Sequence, residues 1–342
     1  KRQAQPPEPK AAKSGSPSKS STQEDHGIKG PAFESADVPD DTFYDGQLAD
    51  MAIKSLQNLS KNNQPFWLGV GFVRPHLPFV SPKKYWDLYT PEKIALAPNP
   101  FAPKGAPTYA VSSGGELRTY MGIPHGPIPD DLARKLKHGY YASISYVDAQ
   151  LGRVLDELDR LNLRDNTIIV LWGDHGWKLG EHGAWCKHTN VELDTNAPLI
   201  VSVPGMKTAG QHSDALVEFV DIYPSLAELC GLKSPAHLEG TSFVPLLTSP
   251  QLAGKPAAFS QYPRTVNNRR IMGYTMRTDR YRLTRWLDQA DPSKVDAVEL
   301  YDEKEDPQEN VNIAADPKNA ALLNTLTEQF LKGWQGNQQF SR

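Results

Sequence analysis

Cysteine is nearly absent from this sequence: the 342 residues contain only two, Cys186 and Cys230. Two cysteines exclude a disulfide framework and a cysteine-rich zinc site, and they leave open whether they pair with each other. Charge of one sign is not in excess either, because the formal net charge at pH 7 is -3. Binding nucleic-acid phosphates without sequence preference needs a clear basic excess, so we expect no nucleic-acid partner.

Long hydrophobic runs are also missing. None approaches the ~18 apolar residues of a transmembrane helix, so we expect no membrane partner. The composition, with 39% hydrophobic and 23% charged residues, is typical of a globular protein and excludes a disordered chain. The length is sufficient for two domains or for one large α/β domain.

The composition divides the chain into three parts. Residues 1–30 contain Ile28 as their only large apolar residue, too little to offset the entropy of ordering, so we predict a linker or exposed loop. Residues 31–250 alternate helical and strand patterns, which predicts an α/β domain with a mostly parallel sheet flanked by helices. Residues 251–342 contain short strand patterns and a closing amphipathic helix, which predicts a smaller α+β subdomain with an antiparallel sheet.

Apolar periodicity places the main elements of residues 31–250. Spacings of three and four predict a helix over residues 43–62 and a long helix over residues 130–158. Three short apolar runs predict buried strands of the parallel sheet, namely residues 65–73, 167–172 and 198–203. Residues 90–129, rich in proline and glycine, predict a long irregular loop.

The strongest cluster of chemically active side chains follows the predicted strand 167–172. Residues 172–190 read Trp-Gly-Asp-His-Gly-Trp-Lys-Leu-Gly-Glu-His-Gly-Ala-Trp-Cys-Lys-His-Thr-Asn. Because open α/β sheets bind ligands at the carboxyl ends of their strands, Asp174 and His175 are placed to bind one metal ion. Lys187 and His188 follow in the same loop. The alternative is a solvated glycine-rich loop, but three tryptophans favour a small-molecule site.

Two further candidates lie outside this loop. His76, set between two prolines, follows the strand 65–73 and therefore belongs to the same edge of the predicted sheet, although a lone histidine is often structural. Arg264, Arg269 and Arg270 form a basic cluster. If they face the Asp174 loop, their guanidinium groups can pair with carboxylates or sulfates; otherwise they are merely solvated.

At these residues the sequence resembles the sulfatase family, in its iduronate-2-sulfatase branch. The run from Asp174 through Gly180-Glu181-His182-Gly183 to Lys187 is similar to the family's second metal half-site and catalytic lysine. Further similar segments follow in the family's order, and the similarity covers nearly everything from Phe43 onward; they are residues 71–79, 140–152, 260–264, 271–274, 299–302 and 306–307.

The resemblance implies an alkaline-phosphatase-like fold and a hydrolase of sulfated carbohydrates, such as a sulfated uronic acid in a glycosaminoglycan or algal polysaccharide. In that family a formylglycine attacks sulfur, and Ca²⁺ holds the nucleophile and the sulfate oxygens. Carried over residue by residue, the resemblance implies that Asp174 and His175 ligate the metal. Lys187 would contact sulfate, and His76 would contact sulfate or assist the leaving oxygen. Trp177 and His188 would contact the sugar, and its carboxylate would be bound by Arg264, Arg269 and Arg270.

The sequence departs from the family in two respects. The nucleophile motif Cys/Ser-x-Pro/Ala-x-Arg does not occur in the 342 residues, and the family's N-terminal aspartate pair is missing. We therefore expect an N-terminal sulfatase segment or chain as a partner. A histidine beside an aspartate also suits zinc or another transition ion better than calcium, which prefers oxygen ligands.

Two alternatives to a sulfatase stay open. One is a metal-dependent phosphatase or phosphodiesterase of the same superfamily, and the other is a catalytically silent glycan-binding relative. Family habit implies a periplasmic, secreted or lysosomal location, because sulfated glycans are met outside the cytosol.

Overall fold

The computed structural model describes residues 29–333, apart from residue 63 and residues 112–114. In its first part, helices and short strands alternate in the order β1 (Lys29–Pro31), β2 (Phe33–Ala36), α1 (Tyr44–Leu59), β3 (Phe79–Pro82), α2 (Lys83–Trp86), β4 (Tyr120–Met121), α3 (Asp130–Arg160), β5 (Ile169–Trp172), β6 (Lys178–Leu179), β7 (Trp185–Cys186), α4 (Glu192–Thr195), β8 (Leu199–Ser202), α5 (Ile222–Leu229) and α6 (Val244–Thr248). The second part contains β9 (Ala258–Val266), β10 (Arg269–Arg277), β11 (Tyr281–Asp288), β12 (Val295–Asp302) and α7 (Ala320–Leu331).

Both long helices predicted from the sequence are confirmed, as α1 and α3. They pack against each other through residues at helical spacing: Ala52 and Leu56 of α1 meet Val154 and Leu158 of α3 in one buried cluster. Burying a leucine side chain contributes about 1.5–3 kcal/mol, so this contact fixes the two helices side by side. Helix α3 thereby becomes the floor on which the neighbouring strands lie.

The pairing of the predicted sheet strands differs from expectation. β5 and β8 pair antiparallel, with Ile169 opposite Ser202, so the parallel arrangement predicted for residues 167–172 and 198–203 is wrong for this pair. Parallel pairing occurs instead between β1 and β4 and between β2 and β3. An apolar run predicts burial, but strand direction depends on the path of the chain between strands, which periodicity does not encode.

The run 65–73, predicted to be a strand, belongs to no sheet of the described part of the chain. Its side chains nevertheless alternate with the period of an extended chain. Phe66, Leu68, Val70 and Phe72 pack on the cluster between α1 and α3, and the residues between them, Trp67 and two glycines, are exposed.

The second part of the chain contains the antiparallel sheet that the sequence predicts. Strands β9 to β12 form one sheet in the order β12-β11-β10-β9, and every neighbouring pair is antiparallel. Helix α7 covers one face, where Leu326 packs on Met276, Leu283 and Leu300.

The predicted linker needs a small correction at its end. Residues 1–28 lie outside the described residues, but Lys29 and Gly30 already belong to β1, where Lys29 pairs with Tyr120. That partner is distant in sequence, so local composition gives no sign of it. Within the described part of the chain, no helix is long and apolar enough to cross a membrane.

The two cysteines do not pair in the structure: Cys186 is buried and free, and Cys230 is exposed and free. Burial, with a further contribution from the Glu116 charge, raises the pKa of the Cys186 thiol to about 12. The thiol is therefore protonated and packs as a small apolar group at neutral pH.

Candidate active site

His76 and Lys187, predicted separately from the sequence, lie in contact. The Lys187 Nζ is 2.8 Å from the His76 Nε2, although 111 residues separate them in the sequence. Both contact Glu116: Lys187 donates to its Oε2 at 2.7 Å, and the His76 Nε2 lies 2.8 Å from its Oε1. Sequence reasoning missed Glu116, because it lies in the irregular loop 90–129 and no motif marks it.

A buried carboxylate fixes the loop that carries His76. Asp45 in α1 accepts hydrogen bonds from the backbone N–H groups of Val73 and Arg74, at 2.7 and 3.1 Å. The Arg74 guanidinium then donates to the carbonyl oxygens of His76 and Val80, at 2.9 and 3.2 Å. These bonds hold the loop in one conformation, so that the imidazole has a defined direction.

The hydrogen bonds of His76 define its proton positions. Its Nδ1 lies 2.8 Å from the Leu77 carbonyl oxygen, which can only accept, so Nδ1 carries a proton. The neutral imidazole therefore presents a lone pair at Nε2 toward Lys187, whereas the protonated ring donates from Nε2 to Glu116. The same nitrogen can accept or deliver a proton at the site.

Glu116 lies among cationic partners. Partial burial by itself raises the pKa of this carboxyl, but the hydrogen bond from Lys187 and the charges of Lys187, His76 and His188 outweigh burial and hold the pKa below its ordinary value. The group is therefore an anion at neutral pH, and it neutralises part of the positive charge around it.

The loop that carries Lys187 is tied to the loop that carries Asp174. The buried Asp194 carboxylate accepts from the backbone N–H of Thr189 at 3.0 Å and pairs with the buried Lys178. Its backbone oxygen accepts from the N–H of Gly176 at 2.8 Å. A Cβ on Gly176 would lie 1.9 Å from the Leu193 oxygen, so only glycine permits this approach.

Asp174 and His175 follow β5, as expected. The Asp174 side chain is 86% exposed, and its Oδ2 lies 3.6 Å from the His175 Nε2. The His175 Nδ1 donates to the Gly176 oxygen at 2.8 Å, which leaves the Nε2 lone pair free for a ligand. These two groups fit metal ligation, but among the described residues no three or more acidic, histidine or cysteine side chains are arranged so that they could hold a metal ion. Two such groups alone do not fill the coordination shell of a divalent ion.

Trp177 lies between the two halves of the site. The Lys187 Nζ is 4.9 Å from the centre of its ring, and the His175 ring stacks on it with centroids 5.9 Å apart. His76 meets it edge to face at 5.6 Å. The indole thus contacts one predicted metal ligand, His175, and both predicted sulfate-binding residues, His76 and Lys187.

His188 and Arg264 lie on the side toward β9. The His188 ring stacks on Tyr262 with centroids 5.7 Å apart, and burial together with the Lys187 charge lowers the pKa of this histidine. The Arg264 guanidinium donates to the backbone oxygens of Tyr109, Ala110 and His188, at 2.7, 3.3 and 2.6 Å. Arg264 therefore clamps the loop before Glu116 to the loop of Lys187.

The other two arginines of the predicted cluster lie elsewhere on the sheet. Arg269 pairs with Asp288 and Asp296, whose oxygens lie 3.4 and 2.6 Å from its guanidinium. Arg270 is exposed at the start of β10. The structure thus brings Arg264 to the site and directs Arg269 to carboxylates of its own subdomain.

The site opens into a cavity of about 760 Å³. One end is lined by the candidate site residues His76, Asp174, His175 and Trp177, and the remainder runs over α3 between residues 70–73 and β5. The groove is therefore polar at its mouth and mostly apolar along its length, where Asp148 of α3 also contributes to the lining.

Comparison with protein families identifies the family of this chain. Residues 11–232 match the model of the family described as sulfatase. The chain belongs to the sulfatase family. Residues 180–335 match a second model, described as the C-terminal domain of N-sulphoglucosamine sulphohydrolase.

Individual relatives give the same result. The chain is 36% identical over 361 residues to iduronate 2-sulfatase of Mus musculus, an alignment that covers 85% of this chain and 65% of the relative. It is 34% identical over 278 residues to a sulfatase of Formosa agariphila, covering 79% of this chain and 50% of that protein. The chain thus spans between half and two thirds of the length of these relatives.

Solved structures confirm the expected alkaline-phosphatase-like α/β fold. A protein in complex with its substrate D-glucosamine-2-N,6-O-disulfate superposes with a TM-score of 0.71 at 23% identity, covering 86% of this chain and 71% of that one. A phosphonate monoester hydrolase of Silicibacter pomeroyi superposes with a TM-score of 0.72 at 23% identity, covering 88% and 61%. At such identities the likeness concerns the fold alone.

Proposed function

We propose that this chain contributes the His76–Lys187 half of the active site to a sulfatase that hydrolyses sulfated carbohydrates. The observation that carries the proposal is the convergence of His76 and Lys187 beside the Asp174–His175 loop, in a chain of the sulfatase family. The relative named iduronate 2-sulfatase and another named ulvan-active sulfatase support a sulfated uronic acid in a glycosaminoglycan or algal polysaccharide as substrate class.

The chemistry of sulfate-ester cleavage matches these side chains. A nucleophile attacks sulfur, the bond between sulfur and the alcohol oxygen breaks, and negative charge develops on that oxygen. The Lys187 ammonium stabilises charge on the sulfate oxygens, and protonated His76 gives its Nε2 proton to the departing oxygen. The Nδ1 bond to the Leu77 carbonyl keeps the ring oriented while the proton leaves.

The nucleophile and further site groups come, in this proposal, from an N-terminal sulfatase segment or chain that associates with this one. It would supply the formylglycine, because the family's nucleophile motif does not occur in the 342 residues. It would also supply oxygen ligands that, with Asp174 and His175, hold a divalent ion. Ca²⁺ is the ion that the resemblance implies, and a bound cation would polarise the sulfate oxygens.

The sugar of the substrate would contact the side chains that surround Lys187. Trp177 presents an aromatic surface beside Lys187, and His188 presents a ring stacked on Tyr262. The carboxylate-binding role of Arg264, Arg269 and Arg270 stays a prediction, and the backbone contacts of Arg264 favour a loop-holding role for that residue. We place the enzyme in the periplasm, outside the cell or in the lysosome, where such glycans occur.

The experiment that tests this function is native purification followed by mass spectrometry and assay. We expect a co-purifying chain that contains formylglycine, and release of sulfate from a 2-O-sulfated uronic acid disaccharide. Faster release of phosphate from a matched phosphate ester would favour the phosphatase alternative. Binding of the disaccharide without sulfate release, in the presence of the partner, would favour a silent glycan-binding relative.

A further inference from the structure

We propose that the Glu116 carboxylate is a resident anion that fills the sulfate-binding position of the candidate site and withdraws when the sulfate group of a substrate binds. Glu116 would thus keep the two cationic side chains of this half-site occupied until a substrate competes for them. The inference rests on the proposed function for the identity of the anion. That the position is occupied follows from the hydrogen bonds, the charges and the anchoring of the chain at Glu116.

The carboxylate of Glu116 contacts the side chains that are predicted to contact the substrate. Lys187 donates to its Oε2 at 2.7 Å, and the His76 Nε2 lies 2.8 Å from its Oε1. The His188 Nε2 lies 4.0 Å from Oε2. Among the described residues, these three side chains make the hydrogen bonds and ion pairs of this carboxylate. Glu116 therefore lies where three predicted substrate-binding side chains converge.

A substrate cannot use these groups fully while Glu116 holds them. An imidazole nitrogen carries one proton at most, so the Nε2 of His76 donates either to Glu116 or to the oxygen that leaves the sulfur, not to both. A sulfate group beside the ionised carboxylate would also bring two negative charges into contact, and their repulsion opposes binding. Productive binding of a sulfate ester therefore requires that the carboxylate gives up its place.

The carboxylate matches the sulfate group of an ester in charge. Partial burial raises the pKa of Glu116, but the hydrogen bond from Lys187 and the charges of Lys187, His76 and His188 lower it below its ordinary value. The group is therefore ionised at neutral pH and carries one negative charge, as a sulfate ester does. Both groups accept hydrogen bonds through oxygen atoms that share the charge, so one can replace the other on the same donors.

Glu116 can withdraw without a movement of its backbone. Its carbonyl oxygen accepts from the backbone N–H of Thr119 at 3.2 Å and from the Thr119 Oγ1 at 2.8 Å, and the next residue, Leu117, is buried. The side chain of Glu116, by contrast, rotates about its own bonds and is 16% exposed, so it reaches solvent. A change of rotamer is therefore sufficient to release both cationic partners.

Lys187 keeps its position when the carboxylate leaves. Its Nζ lies 4.9 Å from the centre of the Trp177 ring and 2.8 Å from the His76 Nε2. The face of an indole attracts an ammonium group, and this attraction does not depend on Glu116. The vacated position therefore stays cationic and ready for another anion.

The test measures the binding of inorganic sulfate to the full 342-residue chain, by equilibrium dialysis with radiolabelled sulfate at constant ionic strength. We expect Glu116→Gln to lower the Kd for sulfate by about tenfold or more, because it removes a negative charge from the place that the anion takes. Glu116→Ala removes the same charge together with the hydrogen-bonding atoms, and we expect a similar gain. Circular dichroism of each variant verifies that it is folded.

Glu305→Gln is the matched control. That carboxylate lies 3.8 Å from Arg280 and is 73% exposed after β12, so the substitution changes the net charge equally but away from the site. We expect it to leave the Kd unchanged, and we expect Lys187→Ala to abolish the gain when it is added to Glu116→Gln. Unchanged or weaker sulfate binding in Glu116→Gln would overturn the proposal, since Glu116 would then support the anion position and not fill it. An equal gain in Glu305→Gln, or a gain that survives Lys187→Ala, would indicate an adventitious ion only and would also overturn it.

Activity separates this inference from the proposed function. In the assembled enzyme, we expect the product sulfate to inhibit Glu116→Gln at about tenfold lower concentration than the unsubstituted enzyme. Tighter sulfate binding by Glu116→Gln in a protein that releases sulfate from no sulfated sugar would support the resident anion and remove the function. Sulfate release by the assembled enzyme, without any gain in binding by Glu116→Gln, would overturn the inference and leave the function intact.

Discussion

Two tryptophans that lie in β-strands of this protein differ in how deeply they are buried. In the β9–β12 sheet, Trp286 is fully buried, with its Nε1 donating to Glu299 at 2.7 Å. Trp172 is the last residue of the apolar strand β5, and 43% of it is exposed. Among the residues that the structure describes, β11 has strands on both sides, whereas β5 has one on a single side. The contrast teaches that an apolar strand is buried by its neighbours and not by its own sequence.

The largest expected effect compares these two tryptophans directly. We expect Trp286→Ala to lower the free energy of unfolding by about 3–5 kcal/mol, because it leaves a cavity and removes the donor to the buried Glu299 Oε1. Trp172→Ala should change it by less than about 1 kcal/mol, as exposed substitutions do. Urea denaturation of the full chain measures both. Similar losses for the two variants would break the comparison, since they would show that β5 is buried in solution.

Substitutions at the candidate site should lower the catalytic rate more than Trp286→Ala or Trp172→Ala does. In the assembled enzyme we expect Lys187→Ala and His76→Ala each to lower kcat by about 10²-fold, near 2.7 kcal/mol of transition-state stabilisation. Lys84→Ala is the control, because that exposed lysine pairs with Asp40 away from the site. Steady-state assay of sulfate release decides the matter, and full activity in either variant would remove that residue from the mechanism.

Arg264 lies in β9 and contacts the loops of the candidate site. Substrates with and without a carboxylate distinguish a loop-holding role of this residue from a substrate-binding role. We expect Arg264→Ala to reduce kcat/KM by about tenfold for sulfated sugars with and without a carboxylate alike, because the loops of Ala110 and His188 lose their clamp. Arg280→Ala, which breaks an exposed pair with Asp302, is the matched arginine control. A loss confined to carboxylate-bearing substrates would instead assign Arg264 to substrate binding.

The smallest effect concerns the charge of Glu116. Its folded-state pKa is lowered by Lys187 and its neighbours, so its stabilising contribution is present above the ordinary carboxyl pKa and is lost as pH falls through the folded value. Glu116→Gln should therefore cost about 1 kcal/mol at neutral pH and nothing in strong acid. The free energy of unfolding of the unsubstituted chain and of Glu116→Gln is measured from strong acid to neutral pH. A difference between them that does not change with pH would contradict the role assigned to the Glu116 charge.

The sequence was informative wherever a signal was local. Periodicity of 3.6 predicted α1 and α3, and short strand patterns predicted the strands of the antiparallel sheet, because each of these signals lies within the residues of one element. Asp174 and Lys187 were found through one continuous motif. Glu116 carried no such signal, since its partners lie 40 and 71 residues away.

By itself, the sequence determined the elements, the family and the residue types available to the site, because these depend on periodicity and motif within short segments. The tertiary structure alone decided the antiparallel direction of β5 and β8, the meeting of His76 with Lys187 and Glu116, and the commitment of Arg264 to backbone oxygens. Each of these is a contact between segments distant along the chain. Such contacts are fixed by the path of the backbone and the geometry of packing, which no local pattern records.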